Sequence, residues 1–207
     1  MIDQSTHEQS TFFDSSLASE PTNKKNEWYT PAYVIKAAHQ VMGAVELDPA
    51  SCAAANITVN ADRYYTQAQN GLVQDWSCET MWLNPPYGKQ YGRSVMGTFI
   101  ARLVDEFAAG RVKEAILLAM DDTSTSWFRT LWGYPICFAD HKVHFHTTCP
   151  TKKSPTATHM HGTIFVYLGT HEERFIEVFS TLGVVARRVS PSKSSSMQKL
   201  PIGGAQW

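Results

Sequence analysis

Met81-Trp82-Leu83-Asn84-Pro85-Pro86-Tyr87-Gly88 is the stretch on which the fold turns. Three large apolar residues read as a buried strand. The two prolines that follow cannot continue it, because proline has no N–H for the ladder. The chain therefore leaves the sheet at Asn84, and an amide side chain, a carbonyl outside any regular ladder and an aromatic ring gather at the strand's carboxyl end. Such a cluster suits a flat group that bears an amine. The Asn84 side-chain oxygen and the Pro85 carbonyl can accept two hydrogen bonds from an exocyclic NH2, while Tyr87 stacks on the attached ring. An aryl amine is a poor nucleophile because its lone pair is delocalised. Acceptors on its two hydrogens favour a more pyramidal nitrogen and stabilise the positive charge that develops as it attacks. The same residues also suit a plain turn, with Asn as turn former and Tyr as packing.

Outward from this stretch, short β-like runs alternate with longer helical ones between Glu27 and about Val189. Upstream, Thr30-Pro31 reads as an N-cap residue followed by proline at the first helical position. Val34, Ile35, Ala38, Val41 and Met42 follow at helical spacing and Gly43 closes the helix. Val45 to Leu47 reads as a strand running into Asp48-Pro49, residues 50 to 56 as a helical turn, and Asn70-Gly71 as a turn; Thr58 to Tyr65 is ambiguous. Downstream, after a loop containing Gly88 and Gly92, Ser94 to Ala109 is an amphipathic helix. Ala115 to Ala119 is a buried strand, Ser126 to Trp132 a helix, and Ile136 to Ala139 and Val143 to His146 are strands. Strand Gly162 to Leu168, helix Glu172 to Leu182 and strand Val184 to Arg188 finish the unit. The alternation predicts an open α/β sheet, mostly parallel, with an antiparallel hairpin at one edge. In such sheets ligands bind beyond the carboxyl ends of the strands. Residues 1–26 and 190–207 are polar and aperiodic and read as tails flanking one domain, 27–189.

The 207 residues, 43% hydrophobic and 12% aromatic, suffice for one domain with a sizeable core and exclude a wholly disordered or collagen-like chain. No apolar run approaches the roughly 20 residues that cross a bilayer, and the N-terminus lacks the basic start and apolar stretch of a secretory signal. A cytoplasmic protein without membrane contact is expected. A formal charge of -1 hides an asymmetry: residues 1–149 hold 11 basic and 16 acidic side chains, residues 150–207 hold 7 and 3. A polyanion would therefore meet local patches rather than a uniform field. Cys52, Cys78, Cys137 and Cys149 are irregularly spaced and read as reduced thiols. His141, His144, His146, Cys149, His159 and His161 include metal-ligating types, but H-x-H…C…H-x-H fits no standard site, and no metal is expected.

Asn-Pro-Pro-Tyr after an apolar strand resembles the signature of amino-methyltransferases that use S-adenosylmethionine. The ordered set Glu27-Trp28-Tyr29-Thr30-Pro31, Leu47-Asp48-Pro49-Ala50-Ser51, Asn70-Gly71-Leu72 with Trp76, and Trp82 to Tyr87 is similar to the phage DNA N6-adenine methyltransferase (Dam-type) family. Ala115-Ile116-Leu117-Leu118 and Trp127-Phe128 extend the likeness over roughly residues 27 to 189. The resemblance implies a Rossmann-like S-adenosylmethionine-dependent fold acting on the N6 amine of adenine in double-stranded DNA, with the target base flipped out of the duplex. It implies catalytic roles for Asn84, Pro85, Pro86 and Tyr87, and a cofactor site formed by Trp28, Thr30, Pro31, Asp48, Pro49, Ala50 and Asn70. The helix opened by Thr30-Pro31 would face the cofactor's carboxylate, Asp48 its ammonium, and Asn70 its adenine. Two departures from the pattern stand out: Ala50, Ser51 and Cys52 replace the usual glycines, and Asn70 replaces an acid.

Asp62 is a candidate for the ribose hydroxyls by order alone. Lys89, Arg93, Lys152 and Lys153 are candidates for DNA phosphate contacts. A phage or prophage setting in a bacterial host, with protection against restriction, follows from the resemblance alone. The motif is shared with enzymes acting on RNA, on glutamine amides in proteins and on cytosine N4, and a non-catalytic DNA-binding phage protein could retain the fold. Nothing in the sequence fixes the oligomeric state; a monomer suffices for the chemistry.

Overall fold

Residues 28–147, 155–158 and 161–189 are the ones described by the structure, a computed structural model. Helix α1 (Ala32–Met42) leads into β1 (Val45–Asp48), α2 (Ala53–Val59) and β2 (Ala61–Tyr64). A 3-10 turn at Gly71–Val73 precedes β3 (Cys78–Leu83), a hairpin of β4 (Lys89–Gln90) and β5 (Arg93–Ser94), α3 (Val95–Ala108) and β6 (Val112–Met120). A second 3-10 segment, Phe128–Gly133, leads to β7 (Ile136–Ala139), β8 (Phe145–His146), β9 (Thr156–Ala157), β10 (Thr163–Leu168), α4 (Glu172–Phe179) and β11 (Gly183–Ala186).

Seven strands form the central sheet in the order β11-β7-β10-β6-β3-β1-β2. β2, β1, β3 and β6 are mutually parallel, and β10 and β11 run against them and against β7. This is the expected mostly parallel α/β sheet with an antiparallel edge. At that edge β7 lies between β10 and β11, so the last two strands flank a neighbour instead of each other. β6 is buried on both faces from Glu114 to Ala119, which is why Ala115 to Ala119 reads as a continuous apolar run.

The pleat sends alternate residues to opposite layers. Trp82, Ile116 and Leu118 join Val34, Ile35 and Ala38 of α1 and Phe175 and Phe179 of α4. Met81, Leu83, Ala115 and Leu117 join Phe99, Ile100 and Leu103 of α3. At roughly 1.5–3 kcal/mol for each fully buried large apolar side chain, these two layers hold β1, β3 and β6 rigidly, and the loops at their carboxyl ends start from fixed points.

Several elements differ from expectation. Ser126 to Trp132 forms a 3-10 segment at Phe128–Gly133 instead of an α-helix, anchored by the buried Phe128 and Leu131. The ambiguous Thr58 to Tyr65 resolves into the end of α2 and all of β2, separated by Asn60 in the left-handed region. Val143 to His146 shortens to Phe145–His146, which pairs with β9 and, through His146, with Tyr29. The Gly88 to Gly92 loop is a hairpin. Thr30 is not the cap of α1: Pro31 holds that position in extended backbone and, lacking a polar side chain, caps nothing, while the Thr30 hydroxyl lies against the Asn84 amide. Among the described residues no helix is long and apolar enough to cross a membrane.

Candidate functional site

β1 and β3 are parallel neighbours, with Leu47 opposite Met81, so the loops after Asp48 and after Leu83 emerge side by side. The segment before α1 closes over them. Asn84 Nδ2 donates to the Trp28 carbonyl at 3.0 Å and lies 3.3 Å from the Thr30 hydroxyl. A carbonyl only accepts, so the amide cannot be turned end for end without placing two oxygens against each other. Both amide hydrogens are thus occupied, and Asn84 Oδ1, buried, has no hydrogen-bond partner among the described residues. An acceptor held dry and unpartnered is costly and points to a donor that arrives from outside.

The other two buried side-chain atoms without a hydrogen bond among the described residues lie beside the same end of the sheet. Ser51 Oγ belongs to the loop after β1, near the Asp48 carboxylate that it helps to stabilise. His146 Nδ1 belongs to β8, whose backbone exchanges two hydrogen bonds with Tyr29, at 2.9 and 3.0 Å. Trp28 packs edge-on against Phe145, with ring centroids 6.0 Å apart, which fixes the carbonyl that holds Asn84.

Asp48, at the carboxyl end of β1, is 2% exposed. Burial pushes its carboxyl up to about 7, and the Ser51 hydroxyl and the Ala50 amide, the latter 3.2 Å from Oδ1, offset only part of that cost. No cation among the described residues pairs with it. Pro49 is buried, and its carbonyl is in close contact with Gly71: a Cβ there would come within 1.9 Å of that oxygen. Gly71 is therefore the residue that lets the Asn70 turn dock on the Asp48 loop. The Gly71 carbonyl accepts from the Trp76 indole N–H at 2.8 Å and from Arg102 at 3.1 Å, tying this turn to α3.

The structure brings together most of the residues singled out in the sequence. Trp28, Thr30, Asp48, Pro49, Ala50, Asn84 and Pro85 converge on the carboxyl ends of β1 and β3, and Pro31 opens α1 beside them. Pro86 is exposed; Tyr87 is half-buried, its ring against the α3 side of the core and its hydroxyl shifted upward by burial. Asn70 stands apart in its bonding. It is exposed, in left-handed backbone, and its side-chain oxygen accepts from Leu72 N–H at 3.3 Å, so it serves the turn. Asp62 is exposed on β2. Lys89 and Arg93 stand exposed on the hairpin, whereas Lys152, Lys153, Cys149 and His159 lie outside the described residues. Among the described residues no three His, Cys, Asp or Glu side chains group as a metal site.

Two features escaped the sequence reading. One is the Trp28 carbonyl, a backbone acceptor with no sequence signal. The other is Asp121 at the carboxyl end of β6, whose Oδ1 accepts from Gly162 N–H at 3.0 Å; a Cβ on Gly162 would lie 2.2 Å from Oδ2. Asp-Asp directly after a buried strand could have drawn attention to it.

A family model described as DNA N-6-adenine-methyltransferase (Dam) matches residues 18–188, and the chain belongs to that family. No curated protein matches the chain, and no solved structure does.

Proposed function

We propose that this member of the DNA N-6-adenine-methyltransferase family uses S-adenosylmethionine to methylate the N6 amine of adenine in double-stranded DNA, with Asn84 as the residue that receives the amine. The observation that carries the reading is the locked Asn84 amide with its buried, unpartnered oxygen. Its shape matches an exocyclic NH2. Asn84 Oδ1 accepts one amine hydrogen and the Pro85 carbonyl the other. Tyr87 offers a ring face to the base.

The residues at the end of β1 suit the cofactor. Asp48 is a buried acid without a cation, and an incoming ammonium would relieve that cost. Ala50 and Ser51 are small enough for close approach. The N-terminus of the 11-residue α1 has no side-chain cap and favours a carboxylate. Bound there, the cofactor would supply the electrophilic methyl group, its S–CH3 bond breaking to leave a neutral thioether. Asn84 is neutral and so does not take the proton; it stabilises positive charge on the nitrogen as the new N–C bond forms, and the proton leaves afterwards to water. Removal of such a fixed acceptor costs roughly 10²–10³ in rate.

We assign the catalytic unit to residues 27–189, acting in the cytoplasm of a bacterial host on phage or prophage DNA. Lys89 and Arg93, joined by Lys152 and Lys153, would contact phosphates. The test is nucleoside mass spectrometry of DNA from a host without adenine methylation, expressing this protein or its Asn84→Ala form. N6-methyladenine is expected with the unmodified protein alone, and Asn84→Ala should bind S-adenosylmethionine within about threefold of wild type. Unmodified adenine beside methylated RNA, glutamine or cytosine would overturn the substrate. Equal methylation by both proteins would overturn the role of Asn84.

A further inference from the structure

Between the Asn84–Tyr87 motif and α3 the chain makes a hairpin whose residues Lys89 to Arg93 are exposed and whose last residue, Ser94, caps α3. Lys89 pairs with Ser94 and Gln90 with Arg93, and Gly88 O accepts from Val95 N–H at 3.0 Å, so the hairpin stands on the rim where β3 ends and α3 begins. Its tip is Tyr91-Gly92, both at positive φ, 50° and 78°. A two-residue turn of this kind normally takes Asn, Asp or Gly first, since an L side chain is strained there. Of the three non-glycine residues at positive φ among the described residues, the other two are asparagines, Asn60 and Asn70. Tyr91 is the misfit, and its side chain gains nothing from the fold in return: it is 95% exposed. Lys89 and Arg93 flank it, both exposed, and no carboxylate among the described residues forms an ion pair with either.

By chain length the tip lies within about 14 Å of Tyr87. A duplex that delivers a base to Asn84 therefore comes within reach of it. Extruding an adenine opens the stack and costs unstacking and unpairing energy, and an inserted side chain recovers part of that cost. We propose that Tyr91 is the wedge: its ring enters the base stack beside the target adenine and holds the flipped state, while Lys89 and Arg93 grip the phosphates on either side. The inference rests on the DNA-adenine reading and adds the residue that makes the base accessible.

Tyr91→Asn tests it cleanly, because Asn is at home at positive φ and keeps the hairpin while deleting the ring; Tyr91→Gly must behave alike. Once the methylated sequence has been read from plasmid DNA, kcat/KM is measured on two duplexes, one with the target adenine opposite thymine and one with it opposite an abasic site. On the paired duplex both variants should lose about tenfold or more, the size of one base–aromatic stack. On the abasic duplex, where the adenine is already unpaired, the loss should shrink below about threefold. Tyr91→Phe, which keeps the ring, should recover most of the wild-type rate. Equal loss on both duplexes, or none on either, overturns the wedge while leaving the adenine reading intact. A wild-type protein that methylates adenine in no duplex overturns that reading, and the wedge with it.

Discussion

The two ends of the central sheet treat buried polar groups in opposite ways. At the amino end Glu106, 8% exposed, is bracketed by Arg102 at 3.2 Å and by Arg111. Glu114, equally buried, accepts from the Tyr167 hydroxyl at 2.6 Å and lies 3.2 Å from His171. At the carboxyl end Asp48 has no cation, and Asn84 Oδ1 and His146 Nδ1 have no partner among the described residues. Both ends are built on the same strands and the same apolar layers, so packing quality does not explain the difference. Compensated groups stabilise the folded chain by themselves, whereas uncompensated ones are tolerated where a ligand completes them. The contrast teaches that substitutions at the amino end should cost stability and substitutions at the carboxyl end should cost binding or rate.

Asp48→Asn carries the largest expected effect. The folded acid titrates at about 7, above the ordinary carboxylate value near 4. The unfolded chain gives up this proton first as pH rises, so the ligand-free protein loses stability between about pH 4 and pH 7, by on the order of 4 kcal/mol. The variant lacks that loss. Its melting temperature should equal wild type at pH 4 and exceed it at pH 8, while its affinity for S-adenosylmethionine at pH 8, read by calorimetry, should fall at least about tenfold. Wild-type affinity should climb with pH up to about 7 and then level off. Unchanged binding by Asp48→Asn would take this residue out of the site.

Glu106→Gln should do the reverse. It uncouples Arg102 and Arg111 from a buried carboxylate, and since Arg111 is half exposed the cost is about 2 kcal/mol, below that of a fully buried pair. Urea unfolding should show it, with kcat unaltered at temperatures well below the transition. A drop in kcat without loss of stability would break the division between the two ends.

Thr30→Val is the finest probe. It removes one of the two acceptors on the Asn84 amide and keeps the shape of the side chain. About a tenfold fall in kcat is expected, with the KM for S-adenosylmethionine little changed and with rescue by Thr30→Ser. A rise in KM alone would assign the hydroxyl to the cofactor instead.

Much of this was legible in the chain. Met81-Trp82-Leu83 followed by two prolines had to be a buried strand that stops, since proline breaks the ladder and three large apolar residues need a core. Ala115 to Ala119 had to be central, because a run apolar at every position is buried on both faces. The roles of Thr30 and Asn70 were less legible. Thr before Pro reads as a cap from local statistics, yet its hydroxyl turns to a residue 54 positions away. Asn-Gly reads equally as a turn or a ligand contact, and the structure gives its oxygen to Leu72 N–H. The hairpin was hidden because Tyr at its tip contradicts the usual turn chemistry.

The sequence by itself determined the α/β class, the main helices and central strands, and which residues stand at the carboxyl ends of β1 and β3, because periodicity, proline and glycine act within a few residues of themselves. The tertiary structure decided how the Asn84 amide is oriented, that Asp48 lacks a counter-charge, and that β7 lies between the last two strands. These depend on groups far apart in the chain, such as the Trp28 carbonyl, the Thr30 hydroxyl and the Tyr29–His146 pairing, and only folding brings them within hydrogen-bond distance of one another.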